Sequence, residues 1–493
     1  MSPRSTIAAY LAFTALAFSA DLPDAAEKQE WARVDSLIAA KVEINSKQAD
    51  GMTALLWAAY HDQTEVAQKL LAAGAKAEIA NRYGITPLSL ACQNGNEVLT
   101  KSLLAAGADA NAEQRGGESM LMIAARTGKT GPVSQLIANG ANIEAKDHRG
   151  QTAIMWAAAA GHSPVIETLI QTGADFRARL KSGFTPLLFS AREGHINAVR
   201  TLLKAGADPS EAIITEESTG GRDAPNGTSA VDFAIENGHF ELAITLMKAG
   251  ADPDDQRSGF TPLHRLTWVR SPPRGDDEAG QPPPETHGKL TSLDFIHAII
   301  TAGAEVNATL TERARQRGNI GYKGITPFML ACRNADLPMM KLLVELGADP
   351  HRPNADGSTP LMAAAGLGCY APDEEPGTDD ECATACEYLL SLGADINAVD
   401  KHGHTAMHGA AYKSLPKVAK LLAAKGAKID VWNQKNDKGW TPLLIAQGFR
   451  PGNFKPSAET TAAISKIMLA NGIKPPPPPD RNSLPKKKGY DQQ

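Results

Sequence analysis

The stretch Tyr83-Gly84-Ile85-Thr86-Pro87-Leu88-Ser89-Leu90-Ala91-Cys92 decides the fold of this chain. Gly84 allows the positive φ of a tight turn, Thr86 can cap a helix through its hydroxyl, and Pro87 suits the first helical position. After a polar turn at residues 94–96, a second apolar stripe runs to Gly107, which can end a helix in a left-handed conformation. The stretch predicts the unit turn, helix, turn, helix.

This unit recurs along most of the chain. Its turn, which we call the finger, carries a glycine that returns every 33 residues through the first five copies and at other intervals afterwards. The eleven finger glycines are Gly51, Gly84, Gly117, Gly150, Gly183, Gly227, Gly259, Gly324, Gly357, Gly403 and Gly439. A fixed period of this length is typical of repeat proteins, in which each helix pair buries its apolar face only against its neighbours. The sequence therefore predicts a solenoid.

The phrase Thr261-Pro262-Leu263-His264 and its near-copies resemble the ankyrin repeat, and the resemblance covers residues 48–474. It implies an all-α ankyrin-repeat solenoid of stacked helix-turn-helix units with β-turn fingers and long inserted loops. It also implies that the chain binds other proteins through the concave face formed by the fingers and the first helices. The copies at Gly117 and Gly227 depart from the phrase and are expected to be the weaker units.

The two ends of the chain differ from the repeats. The apolar run 7–18 predicts a signal peptide over residues 1–20, so that the protein is exported to the periplasm or the extracellular space; the alternative is a cytoplasmic protein with an apolar leader. Within residues 21–47, we expect one amphipathic capping helix over residues 28–40. The Pro-rich, basic residues 475–493 are expected to be disordered.

Five insertions interrupt the array, near residues 209–224, 269–289, 309–320, 366–383 and 448–457. Loops of this length are functional or disordered. The insertion at 366–383 is acidic and is expected to be solvated. A disulfide from Cys369 to Cys382 or to Cys386 would staple it in an oxidising compartment. Cys92 and Cys332 follow Leu-Ala in first helices and are expected to be core residues.

Composition and motifs favour a protein without catalytic chemistry. The net charge of −5 and the pI near 6.2 argue against a nucleic-acid binder, and an apolar run of twelve residues is too short to span a bilayer. We find no motif for a catalytic centre or a cofactor. His404 and His408 lie one helical turn apart, as zinc ligands often do, but His408 occupies the position of His264 in the repeat phrase. We therefore predict no metal site.

The residues next to the finger glycines and at the ends of the first helices are basic or aromatic although the chain is acidic. The candidate protein-binding residues are Tyr60, Arg82, Tyr83, Arg115, Arg126, Arg149, Lys181, Phe184, Arg192, Arg257, Phe260, Tyr322, Lys323, Arg333, Tyr412 and Trp440. Arginine and aromatic side chains are common interface anchors. This favours a non-catalytic scaffold whose partner presents an acidic or extended segment.

Other interpretations stay open at this stage. The exposed Lys and Arg side chains could serve solubility alone. The chain could also be an accessory or ligand-binding subunit of an exported enzyme, with the insertions forming the site, or a structural spacer without a specific partner. Trp57 and Trp156 share one position in the first helix and are expected to be core residues.

Overall fold

The computed structural model describes residues 21–215, 224–272, 284, 288–311, 319–372, 375–449 and 456–478. The predicted signal peptide, Asp373 and Glu374 of the acidic insertion, and residues 479–493 of the predicted tail lie outside the described residues. The described residues form helices and two isolated bridges, without a β-strand. The prediction of an all-α fold is therefore confirmed. The chain divides into two compact units at Ala234 and Ile235.

The first unit consists of stacked helix pairs. The pairs are Asp21–Glu27 with Trp31–Ala39, Ala54–Tyr60 with Thr64–Ala72, Pro87–Asn94 with Glu97–Ala105, Met120–Ala125 with Thr130–Ala138, Ala153–Ala159 with Ser163–Gln171, and Pro186–Arg192 with Ile196–Lys204. First helices pack on the first helices of adjacent pairs, and second helices pack on second helices. Each pair is therefore ordered by its neighbours, as expected for a solenoid. The helix Ala230–Glu236 contains the boundary between the units.

The N-terminal cap is a helix pair: the helix expected over residues 28–40 spans Trp31–Ala39, and a second helix that the sequence did not predict, Asp21–Glu27, precedes it. Gln29 adopts a left-handed conformation with φ of 58° and separates Asp21–Glu27 from Trp31–Ala39. Leu22 is fully buried, and its helix packs on Ala54–Tyr60. The cap thus has the same two-helix form as the repeats that follow it.

The second unit also alternates first and second helices, apart from the four-residue helix Ile429–Trp432 ahead of Gly439. Its helices are Phe240–Lys248, Pro262–Arg270, Ser292–Thr301, Pro327–Arg333, Leu337–Glu345, Pro360–Ala364, Asp379–Ser391, Ala406–Tyr412, Pro416–Ala424, Ile429–Trp432, Pro442–Ala446 and Ala458–Ala470. The end of the acidic insertion belongs to the helix Asp379–Ser391, because Thr378 caps that helix and accepts from the backbone nitrogen of Glu381. The other described residues of this insertion, 366–372 and 375–378, lie outside the helices.

The local chemistry expected from the repeat phrase is present. Thr86 forms a capping box with Ser89 ahead of Pro87, and Gly84 and Gly107 have φ of 81° and 92°. The two copies expected to be weaker keep their caps: Ser119 accepts from the backbone nitrogen of Met122, and Ser229 and Asp232 exchange two hydrogen bonds of 3.0 Å. In these two repeats, the serine caps start the first helix although the Thr-Pro phrase is absent.

Asparagine side chains connect successive repeats, a role that the sequence analysis missed. The Asn111 amide donates to the Gly140 carbonyl at 3.0 Å and accepts from the Asn142 backbone nitrogen at 2.7 Å. Asn45 and Asn307 make the same pair of bonds within their own units. One side chain thereby satisfies the carbonyl of the glycine that follows the second helix and the backbone nitrogen two residues after that glycine.

Replacing Gly409 by alanine is expected to lower the free energy of unfolding by about 1–3 kcal/mol. Gly409 lies within the helix Ala406–Tyr412, and a Cβ there would stand 2.8 Å from the Leu367 nitrogen and 3.0 Å from the Met362 oxygen. Helix propensity alone predicts the opposite sign, a gain of about 1 kcal/mol. Urea denaturation of the full chain measures the change. A more stable Gly409→Ala protein would contradict this close backbone approach.

Candidate functional site

The candidate residues of the first unit lie on its surface. They stand on the fingers and at the C-terminal ends of the first helices, which together we call the finger face. Tyr60 and Tyr83 are 57% and 50% exposed. The exposed cations of this face are Arg82, Arg115, Arg126, Arg149 and Lys181, while Phe184 and Arg192 are half-buried. The structure therefore leaves these nine residues reachable by a partner.

Several guanidinium groups of this face rest on aromatic rings. Arg126 lies 5.2 Å from the ring centroid of Trp156, in the next repeat. Arg192 lies 5.0 Å from Phe184 and 5.4 Å from Phe189. Such cation–π contacts hold a planar guanidinium in place while its N–H donors stay available.

Trp57 and Trp156 also belong to the finger face, and the prediction that they are core residues is wrong. Both indoles are half-buried. The Trp57 N–H donates to Gln48 at 2.7 Å, and the Trp156 N–H donates to Asp147 at 3.2 Å. A sequence signal existed, since a polar residue stands three positions before the finger glycine and the tryptophan stands six positions after it.

In the second unit, some of the candidate residues are exposed, and aromatic rings lie near them. Arg257 and Lys323 are exposed, and Arg257 pairs with Asp255 at 2.7 Å. Phe260 is half-buried and packs edge-on against Trp268 at 4.5 Å. Trp268 stands nine positions after its finger glycine, as Arg126 does, and the candidate set omitted it. Trp440 is half-buried, with the Lys438 ammonium 5.9 Å from its ring.

Tyr322, Arg333 and Tyr412 are buried, which corrects their assignment as partner-binding residues. They are 7%, 8% and 2% exposed, respectively. The Tyr412 hydroxyl accepts from the Asn436 amide at 3.0 Å, and Arg333 is engaged by the acidic insertion. These side chains contribute to packing of the second unit and cannot meet a partner directly.

The acidic insertion folds back on the preceding repeat, so its description as a solvated loop is wrong for Glu375. The Arg333 guanidinium donates to the Glu375 carboxylate at 2.7 Å and to the Gly368 carbonyl at 3.1 Å. A Cβ on Gly368 would lie 2.4 Å from Ile320 Cγ2, which shows how closely the backbone passes. Burial opposes the charge of Arg333, but Tyr322 and Glu375 raise the pKa of its guanidinium above the ordinary value.

A second cation, Lys413, also contacts this insertion. Lys413 is 4% exposed, and its Nζ donates to the Pro376 carbonyl and lies 3.4 Å from Cys382 Sγ. Asp379 accepts from the backbone nitrogens of Lys417 and Val418 at 2.9 and 3.2 Å. The described residues of the insertion thus pack within the second unit.

The cysteines form no disulfide in the structure, which corrects the pairing expected for Cys369 with Cys382 or Cys386. All five cysteines are buried, and none is part of a disulfide. The core positions predicted for Cys92 and Cys332 are confirmed, with both side chains fully buried. Burial raises the pKa of the Cys92 thiol to about 12 and the pKa values of Cys332 and Cys386 well above their ordinary range. These thiols therefore stay protonated and unreactive.

The histidines considered as zinc ligands bond to neighbouring protein groups. His404 Nδ1 lies 3.2 Å from Asp400, and His408 Nδ1 lies 3.0 Å from the Thr405 hydroxyl. Among the described residues, no group of His, Cys, Asp and Glu has the arrangement of a metal site. No described helix is long and apolar enough to cross a membrane.

An open cleft of about 290 Å³ lies beside the acidic insertion. Arg270, Asn334, Asp336, Gly377 and Glu381 line it. Its charged groups are already paired, since Arg270 donates to Asp336 at 2.7 and 2.9 Å and Glu381 accepts from Thr378 at 2.8 Å. The cleft does not favour the interpretation of a small-molecule site formed by the insertions.

Comparisons with known proteins agree with the fold and with the resemblance seen in the sequence. The family described as Ankyrin repeats (3 copies) matches residues 23–114, 121–213, 289–371 and 379–453, and Ankyrin repeat matches residues 356–401. These matches cover more than half of the chain. Relatives include human Ankyrin repeat and SOCS box protein 6, which is 31% identical over 34% of this chain and 41% of its own length.

Two further proteins match part of this chain. The mouse B-cell lymphoma 3 protein homolog is 28% identical over 39% of this chain and 44% of its own length. The crystal structure of the human ASB11 ankyrin repeat domain is 18% identical, with a TM-score of 0.42 over 54% of this chain and 100% of that chain. This chain thus spans less than half the length of the curated relatives named here.

Proposed function

Because the chain belongs to the ankyrin repeat family, whose members are typically non-catalytic scaffolds for protein interactions, we propose that it binds a partner protein through the finger face of its first unit. The observation that carries this proposal is the set of two accessible guanidinium groups that lie over half-buried aromatic rings, Arg126 over Trp156 and Arg192 over Phe184. Arg126 on Trp156 is its clearest member. The proposal concerns the site, since a fold shared by many proteins does not specify a partner.

The chemistry of the finger face favours an acidic or extended partner segment. The chain as a whole carries a net charge of −5, yet five exposed cations lie on this face of the first unit. Stacking on Trp156 or Phe184 lowers the entropy that an arginine loses on binding. Each guanidinium can then donate two parallel hydrogen bonds to a carboxylate.

Export of the protein is a further proposal that rests on the sequence of residues 1–20 alone. It is independent of the proposed binding face. Periplasmic or extracellular location would set the partner's compartment without changing its chemistry.

Changing both Arg126 and Arg192 to glutamate is expected to reduce partner capture at least tenfold, because two anchoring cations become like charges facing an acidic segment. Quantitative mass spectrometry of the proteins retained from an extract of the native organism measures the change. The matched control is Lys101→Glu with Arg200→Glu. It changes net charge equally at exposed positions on the second helices Glu97–Ala105 and Ile196–Lys204. Equal capture by the two double variants would remove the finger face as the site.

A further inference from the structure

Three arginines occupy the same position in three different repeats. Arg126, Arg192 and Arg333 each stand nine residues after their finger glycines, Gly117, Gly183 and Gly324. Arg126 is the C-cap of its first helix, while Arg192 and Arg333 are the last residues of theirs. The local backbone therefore presents the three guanidinium groups from equivalent places.

At Arg333 the chain itself fills this position with an acidic, irregular segment. The guanidinium binds a carboxylate, that of Glu375, and a backbone carbonyl, that of Gly368. The segment continues through Pro376, whose carbonyl accepts from Lys413. Within the second unit, Arg333 and Lys413 thus bind the segment Glu375-Pro376.

Among the described residues, no such segment occupies the equivalent positions of the first unit. The turn after Arg126 leads directly into the helix Thr130–Ala138, and none of the described carboxylates pairs with the Arg126 guanidinium. Arg192 pairs at 2.8 Å with its exposed sequence neighbour, Glu193. An exposed pair of this kind contributes little and can be exchanged for another carboxylate.

We propose that Arg126 and Arg192 bind two carboxylates of one extended acidic segment of another protein, in the way that Arg333 binds Glu375. This inference rests on the proposed function and names the recognised feature. One repeat separates the two arginines. Since packed helices lie about 8–10 Å apart, the guanidinium groups are roughly 16–20 Å apart. An extended chain rises about 3.3 Å per residue, so the two acidic residues lie about five or six positions apart.

The residues between the two carboxylates face the repeat that begins at Gly150. That repeat presents the half-buried Trp156 indole and, at the position equivalent to the arginines, Ala159. An aromatic ring and a methyl group match apolar or proline residues. The recognised segment is therefore acidic, apolar or proline-rich, and acidic again.

The test uses a fluorescein-labelled peptide with two glutamates six positions apart and proline and valine between them. Its comparators carry the same residues with the glutamates adjacent, or glutamine in their place. Fluorescence anisotropy with the full chain is expected to show at least tenfold tighter binding of the spaced peptide than of either comparator. Arg126→Gln with Arg192→Gln is expected to remove this preference, and Lys101→Gln with Arg200→Gln is expected to change affinity less than twofold.

Equal binding of the spaced and adjacent peptides, or unchanged binding by the Arg126→Gln, Arg192→Gln protein, would overturn the inference. If partner capture still depends on Arg126 and Arg192, the proposed function stands and only the two-carboxylate occupant is wrong. If the protein dimerises with increasing concentration and the two substitutions abolish dimerisation, Arg126 and Arg192 bind the acidic insertion of a second copy of this chain. That result would also overturn the inference. Sedimentation velocity measures that outcome.

Discussion

Replacing Arg333 by methionine is expected to lower the free energy of unfolding by about 3–5 kcal/mol. The Arg333 and Glu375 side chains are 8% and 16% exposed, and their charged atoms lie 2.7 Å apart. Methionine leaves the Glu375 carboxylate near the interior without its cation, and the Gly368 carbonyl loses its donor. Urea denaturation gives the overall change, and hydrogen exchange in the helices Pro327–Arg333 and Asp379–Ser391 locates it.

A double-mutant cycle separates this pair from ordinary loss of packing. Adding Glu375→Gln to Arg333→Met removes the uncompensated charge, so the double variant is expected to be more stable than Arg333→Met alone. The matched comparison is Arg192→Met, whose partner Glu193 is 42% exposed and whose loss should cost less than about 1 kcal/mol. Additive effects of Arg333→Met and Glu375→Gln would mean that the two charges do not interact.

The parts of the fold that follow from local chemistry could be read from the sequence. The left-handed conformations of Gly84 and Gly107 and the helix cap at Thr86 depend only on neighbouring residues. The local sequence was therefore enough to predict them. The helix Asp21–Glu27 and the break at Gln29 were missed because a glutamine with positive φ carries no sequence signal of a helix break.

Residues whose environment comes from distant segments were harder to assign. Arg333 and Arg126 stand at the same position of the repeat, but the path of residues 366–372 and 375–378 covers Arg333, whereas Arg126 is exposed. That path depends on contacts with Ile320 and Lys413, far away in sequence. Periodicity can therefore place a side chain on the finger face, but it cannot show what covers that face.

Lowering the pH from 7 to 4 is expected to destabilise the second unit through two buried histidines, by on the order of 3 kcal/mol each. Burial lowers the pKa of His264 from 6.5 to about 3, although the Ile325 carbonyl acts in the opposite direction. Burial also lowers the pKa of His408 to about 3. The unfolded chain takes up these protons near pH 6.5, and the folded chain does not. The contribution of the two neutral histidines to the free energy of unfolding is therefore fully present above pH 6.5 and is lost as the pH falls from 6.5 to 3.

The first unit should respond differently, because its histidines, His61, His148, His162 and His195, are exposed or half-buried. Burial also raises the pKa of Glu211, which stabilises this unit as the pH falls towards the range where the carboxyl is protonated. Hydrogen exchange at pH 7 and pH 4, corrected for intrinsic rates, resolves the helices of each unit in the intact protein. His264→Gln should reduce the loss of protection around Pro262–Arg270, whereas His297→Gln, at an exposed position, should not. An unchanged pH dependence in the His264→Gln protein would show that other groups control the acid lability.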